Sequence, residues 1–141
     1  MHCARLTKAV VLFISIQILK MSINKIAALP VPSLPDVMLE PLVRMALLED
    51  LGRAADLTTD TIVPADAMGE LRLVARQDGI LAGLDLARLA FVLMDARMEF
   101  DVRCADGTLL QPGMEIARIR GKSRAILTAE RTALNYLCHL S

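Results

Sequence analysis

The clearest pattern in the chain is helical. Apolar residues recur at Leu86, Leu89, Ala90, Leu93 and Met94, the three-and-four spacing that predicts a helix over Leu84–Met94. A second helix is predicted from Pro41 to Leu51. There Leu42, Val43, Met45, Ala46, Leu47 and Leu48 cover one side, and Arg44 and Glu49 lie off it. Pro41 suits a first helical turn and Gly52 a C-terminal stop. A third is predicted over Leu127–Leu140, with Thr128 as N-cap and Glu130 in the first turn, where a negative charge is favoured. Between the helices the period falls to two. Leu71 and Val74 read as one strand with Arg72 and Arg76 on its alternate face, Ile80–Ala82 as a short buried strand ending at Gly83. Met98–Arg103 and Met114–Ile119 alternate likewise, the latter with Glu115 and Arg118 on its polar side. Asp78-Gly79, Asp106-Gly107 and Pro112-Gly113 mark turns, and Arg53–Asp60 a polar loop. Helix, strands, helix, strands, helix describes an α+β domain with a partly antiparallel sheet.

The first 35 residues do not share this organisation. Arg5 and Lys8 precede an apolar run, Ala9–Leu19, that ends at Lys20. It falls well short of the roughly 20 apolar residues needed to cross a bilayer. A basic start before a short apolar stretch has the shape of a secretory signal. Ile26-Ala27-Ala28, beyond Lys20 and Lys25, makes a poor cleavage site. Translation from Met21, a signal or anchor, and a plain tail are the three readings. Pro30, Pro32 and Pro35 then space a linker, so residues 1–35 are expected to form an extension and residues 36–141 the folded domain.

Composition narrows the function. Hydrophobic residues make up 55% of the 141, enough apolar material to exclude intrinsic disorder. The zero net charge hides an asymmetry. Residues 1–35 carry four basic groups and no acid, which leaves 12 basic against 16 acidic groups in residues 36–141, a net of −4. A mildly acidic body without tryptophan offers neither a phosphate-neutralising patch nor a stacking platform, so nucleic acid is not an expected partner. Three cysteines (Cys3, Cys104, Cys138) without CxxC spacing exclude a disulfide scaffold and a paired-cysteine zinc site. With only His2 and His139 besides, no metal site is expected. A cytoplasmic, reducing location fits this cysteine usage.

Most candidate chemistry fails on inspection. Gly121-Lys122-Ser123 ends like a phosphate-binding loop, but Ile116 stands where the loop requires glycine. The glycine turns at 107, 113 and 121 have the spacing of lipoyl or biotinyl carrier strands, yet Lys122 lacks the flanks of a modified lysine. Asp56 with Asp60 could chelate a cation or simply cap a turn. Cys138 fits a small core or interface residue better than a nucleophile. Arg131, Asn135 and His139 recur at i, i+4 and i+8, a polar stripe opposite Leu134, Leu137 and Leu140. A guanidinium and an amide on one helix could grip a dicarboxylate, because arginine's planar fork matches carboxylate geometry. The same stripe is also what a solvated face looks like.

Five segments carry a resemblance. Leu48-Glu49-Asp50-Leu51-Gly52 is followed by Asp56-Leu57-Thr58-Thr59 and then by Ala75-Arg76-Gln77-Asp78-Gly79-Ile80-Leu81-Ala82-Gly83. Leu127-Thr128-Ala129-Glu130-Arg131-Thr132-Ala133-Leu134-Asn135-Tyr136-Leu137 and His139-Leu140-Ser141 complete the set. From Asp36 onward the chain resembles the N-terminal part of quinolinate phosphoribosyltransferase, with Ala55 where that family commonly has glycine. The resemblance implies an open α/β sandwich with hammerhead-like strands and a C-terminal helix. The family's second domain, an α/β barrel, would lie beyond Ser141. It implies a pentosyltransferase of pyridine-nucleotide (NAD) synthesis that joins quinolinate to phosphoribosyl pyrophosphate with Mg²⁺, giving nicotinate mononucleotide, CO₂ and pyrophosphate. Substrate and metal groups would belong mostly to the barrel, so no catalytic residue and no metal ligand is expected here. Arg131 would contact quinolinate across the interface of a homodimer or higher homo-oligomer, with Asn135 and His139 in support. A non-catalytic binding or regulatory module, or a paralogue associated with molybdenum transport, is the alternative.

Overall fold

The computed structural model describes residues 32–52 and 61–141. The apolar run, Met21, His2 and Cys3 lie outside these residues, as do Ala55, Asp56 and Asp60 of the polar loop. Pro32 and Pro35 lie in irregular chain ahead of the first helix. In chain order the elements are α1 (Asp36–Leu51), β1 (Met68–Val74), β2 (Gly79–Ile80) and α2 (Leu84–Met94), then β3 (Glu99–Val102), β4 (Leu109–Leu110), β5 (Glu115–Lys122) and α3 (Ser123–Leu140). The α+β expectation holds. Among the described residues all strand pairings are antiparallel: a three-stranded sheet ordered β1-β5-β3 and a separate β2-β4 ribbon.

From Ala117 to Gly121 on β5 the sheet separates two chemistries by alternation, while Ile116 and Ala117 at the other end are both buried. On β5, Ala117, Ile119 and Gly121 turn inward and are buried, while Arg118 and Arg120 turn out. Register stacks Glu70, Arg120 and Glu99 in one cross-strand row and Arg72, Arg118 and Asp101 in the next. Arg120 therefore sits between two acids, which suits cross-strand pairing, whereas Arg72 and Arg118 are like charges side by side with Asp101 on the far side of Arg118. Arg120 donates to Glu70 at 2.7 Å, Arg118 to Glu115 at 3.0 Å, and Arg103 pairs with Asp101 at 2.6 Å. Gly121 sits where a Cβ would come within 2.7 Å of the Met98 sulfur, so a small residue lets β5 lie close to that side chain.

The inner face is covered by helices. α2 packs along α3, α1 packs on both, and α3 rests on β5 and β1. Phe91 is fully buried at the centre, its ring 6.0 Å from that of Phe100 on β3 and tilted by 41°. Such a pair adds about 0.5–1.5 kcal/mol beyond the area it buries.

Helix ends and strand ends depart from the sequence expectations. α1 begins at Asp36 rather than Pro41, and Pro41 lies inside it. The proline, sixth residue of the helix, withholds one N–H from the carbonyl of Val37, an exposed residue where the cost of the missing bond is small. Only Val43 and Leu47 of α1 are buried, whereas Leu42, Met45 and Leu48 are exposed. β1 turns Leu71 and Leu73 inward and so, by alternation, leaves Val74 exposed between the buried Leu73 and Ala75; its register with β5 shifts between Leu73 and Val74. Arg76 lies past the strand end. Ile80 is half exposed, and the buried residue of that segment is Leu81, just outside β2. β3 is shorter than expected and β5 longer, and β4 was not anticipated.

The largest correction is at α3, which starts at Ser123, four residues before Leu127. Thr128 is therefore interior and caps nothing at the N-terminus, and Glu130 is not in the first turn. No side chain caps the start of α3. Instead the Ser123 N–H donates to the carbonyl of Ala67 at 2.8 Å, and the Arg124 side chain anchors the turn by donating through Nε to the carbonyl of Val63 at 2.7 Å. Contacts distant in sequence replace the local cap. The buried face of α3 is Ile126, Ala129, Thr132, Ala133 and Leu137. Leu134 and Leu140, expected to oppose the polar stripe as core residues, are exposed.

Candidate functional site

α3 is amphipathic, and its outward side meets the last turn of α1. Residues at i, i+4 and i+8 drift only slightly around a helix, so Arg131, Asn135 and His139 line one oblique row. All three line a groove of about 710 Å³ whose other wall is Ala46, Glu49 and Asp50 of α1.

Each side chain is set differently. Arg131 is 76% exposed and donates through Nη1 to Asp50 Oδ1 at 3.3 Å; no other bond to it is found among the described residues. Among the described residues nothing bonds its Nε–Nη2 edge. His139 Nδ1 lies 2.8 Å from the Asn135 carbonyl, which can only accept, so Nδ1 carries the proton and donates. In the neutral ring Nε2 is then the acceptor, available to a partner in solvent. Tyr136 donates its hydroxyl to the Leu42 carbonyl at 3.3 Å, tying α3 to α1 beneath the groove, and burial pushes its phenol above the usual value of 10.0.

The structure brings together the three residues singled out from sequence. It adds three that had no assigned role: Glu49, Asp50 and Tyr136. One signal pointed to the acids. Asp36 satisfies the N-terminal preference of α1, but Glu49 and Asp50 crowd its C-terminal turn with no basic residue there. Negative charge at a helix C-terminus is locally unfavourable. Asp50 is offset by Arg131, 81 residues away in sequence.

Other candidates do not form sites. Gly121 and Lys122 close β5 and Ser123 opens α3 with no loop between them, so these residues form neither a phosphate cradle nor a hairpin tip bearing Lys122. Lys122 lines a separate depression with Arg97, Arg124 and Asp95. The backbone and side-chain bonds from Arg97 hold the Asp95 carboxyl below its usual value of 3.8. Cys138 is exposed beside an apolar depression formed with Leu73, Ile116 and Leu134. Among the described residues no group of three or more His, Cys, Asp or Glu could hold a metal ion, and no helix is long and apolar enough to cross a membrane. The two acids of the groove do not fit a Mg²⁺ site, since Asp50 is already committed to Arg131.

Known proteins share both the sequence and the fold. The chain is 32% identical over 110 residues to quinolinate phosphoribosyltransferase [decarboxylating] 1b of Nicotiana tabacum, covering 78% of this chain and 31% of that protein. It is 38% identical over 104 residues to nicotinate-nucleotide pyrophosphorylase [carboxylating] of Mycobacterium leprae, covering 70% of this chain and 36% of that protein. The chain thus spans about a third of the length of these relatives. The crystal structure of NadC from Streptococcus pyogenes superposes with a TM-score of 0.74 at 32% identity, covering 77% of this chain and 39% of that one. Residues 56–141, more than half of the chain, match the family model described as quinolinate phosphoribosyl transferase, N-terminal domain, and the chain belongs to that family.

Proposed function

We propose that this domain supplies one side of a quinolinate site in a phosphoribosyltransferase of NAD synthesis, and that Arg131 is its substrate contact. The reaction would join phosphoribosyl pyrophosphate to quinolinate, releasing pyrophosphate and CO₂ and giving nicotinate mononucleotide. The observation that carries this reading is the state of Arg131. Its guanidinium stands at the groove rim with one prong held and the opposite edge unbonded among the described residues. Two adjacent carboxylates on a planar ring present the geometry that such an edge accepts side-on.

Electrostatics supports a site completed by a second surface. Glu49, Asp50 and Arg131 leave the groove with a net charge of −1 when His139 is neutral. A dicarboxylate gains too little there to offset its lost hydration, so further cations have to come from elsewhere. That is the arrangement expected if Arg131 reaches across the interface of a homodimer or higher homo-oligomer. The Asn135 amide and His139 Nε2, on the same row, would complete the hydrogen bonds to the ligand. Mg²⁺ and the pyrophosphate would be held by residues outside this domain, in a cytoplasmic enzyme. The domain by itself would transfer no phosphoribosyl group.

The test joins this domain in frame to the barrel half of one of its relatives. Arg131→Ala should weaken quinolinate binding by about 2–5 kcal/mol, the usual effect of truncating one partner of a buried charge pair. Titration calorimetry showing unchanged affinity would make Arg131 an ordinary solvated residue. Nicotinate mononucleotide formed by the 141-residue chain alone would also overturn the reading.

A further inference from the structure

We propose that Asp50 is the positioning residue for Arg131, an inference that rests on the dicarboxylate reading of the same groove. Asp50 belongs to the last turn of α1 and Arg131 to α3, so their contact joins two helices. The Asp50 side chain is about a quarter exposed while that of Arg131 is three-quarters exposed. The acid is thus the better-held partner, and the long arginine is the one whose freedom the contact restricts. A single bond to Nη1 leaves the Nε–Nη2 edge pointing away from the acid. A bidentate grip by Asp50 would consume the donors that a ligand needs; this geometry does not. Asp50 also stands where its own helix disfavours a negative charge, with Glu49 beside it and no basic residue in the turn. A local preference is violated, and the contact that compensates for it among the described residues fixes the candidate binding residue.

Arginine labelling with phenylglyoxal on the whole 141-residue chain tests this, read residue by residue by peptide mass spectrometry. Arg97 is the internal reference, because it is equally exposed and pairs with its own acid, Asp95. Asp50→Asn should raise the labelling of Arg131 relative to Arg97 by about threefold, within the range an exposed ion pair can exert on an equilibrium. Asp50→Glu should bring the ratio back toward the wild-type value. A role confined to holding α1 together would not be rescued by the longer acid, and it would lower the melting temperature of both variants. An unchanged ratio in Asp50→Asn overturns the proposal.

Added pyridine-2,3-dicarboxylate at millimolar concentration, with the domain joined in frame to the barrel half of a relative, examines the ligand separately. Protection of Arg131 in the wild type, with a half-protecting concentration up to about fivefold higher in Asp50→Asn, supports positioning. A lower concentration in that variant shows that Asp50 opposes the ligand, and overturns it. No protection in the wild type, together with a raised labelling ratio in Asp50→Asn, discards the domain's own dicarboxylate contact and keeps Asp50 as the holder of Arg131. Protection with an unchanged ratio does the reverse.

Discussion

The carboxylate of Asp106 accepts the backbone N–H of Gly83 at 2.9 Å and that of Leu84 at 3.1 Å. Asp106 lies in the turn between β3 and β4, and Gly83 immediately precedes α2, so the start of one helix is capped by a loop more than twenty residues later. Two further bonds seat that loop: Gly107 N–H to the Leu81 carbonyl at 2.7 Å, and Leu81 N–H to the Thr108 carbonyl at 2.9 Å. Asp85 in the first turn of α2 adds favourable charge but bonds neither of the two N–H groups that Asp106 takes.

Asp106→Ala should therefore act as the loss of an N-cap, destabilising the domain by about 0.5–2 kcal/mol. Melting followed by circular dichroism should show a drop of about 4–8 °C per kcal/mol for a domain of this size. Asp106→Asn keeps an acceptor oxygen and should recover most of the loss. An alanine variant as stable as the wild type would show that water caps α2 equally well.

Gly83 itself has φ of 86°, in the left-handed region, and a Cβ there would stand 2.6 Å from Leu140 Cδ1. Gly83→Ala should cost about 1–2 kcal/mol from the backbone alone. The Leu140 contact is with the far end of a flexible side chain, so Leu140→Ala in the same chain should relieve only the smaller part. Full recovery in the double variant, measured by urea unfolding, would assign the strain to packing rather than to φ.

The outer face of the sheet predicts a pH dependence with a definite sign. The hydrogen bond from Arg120 holds the Glu70 carboxyl below its usual value of 4.5, and charges on Arg120, Arg118 and Arg72 add to that. An acid whose folded value is depressed contributes stability that is complete above the unfolded value and is lost as pH falls toward the folded one. Glu70→Gln should lower the urea midpoint at about pH 6, and the difference should shrink by about pH 3. It should also shrink in concentrated salt, because the row is open to solvent. A difference that does not change over this range would remove Glu70 from the acid limb.

Arg131→Lys discriminates charge from geometry in the barrel-joined enzyme. A point charge cannot make a two-pronged contact, so lysine should restore only part of the affinity lost in Arg131→Ala. Folding should change by no more than about 1 kcal/mol in both, because the side chain is exposed and an exposed ion pair contributes no more than that. Equal affinity for lysine and arginine would mean that the site reads charge alone.

How much of this was legible beforehand depends on the range of the interaction. The bounds of α2, Leu84–Met94, are legible in the sequence because its apolar period is recorded in the segment itself. The outward placement of Arg72 and Arg118 followed from alternation in the same way. The row of Arg131, Asn135 and His139 also follows from helix geometry, and the three residues do line one groove. The start of α3 could not be read locally, since its first N–H is satisfied by Ala67, a residue fifty-six positions earlier. Thr128 had the chemistry of a cap and none of the surroundings. On α1 the apolar positions outnumber those its neighbours can cover, so which of them are buried was decided by where α2 and α3 lie. The sequence thus determined that three helices form, the outward faces of Arg72 and Arg118 and the residues of the polar row. Only tertiary packing decided that Asp106 caps α2 and that Asp50 holds Arg131, because hydrogen bonds between distant segments leave no periodic trace in either.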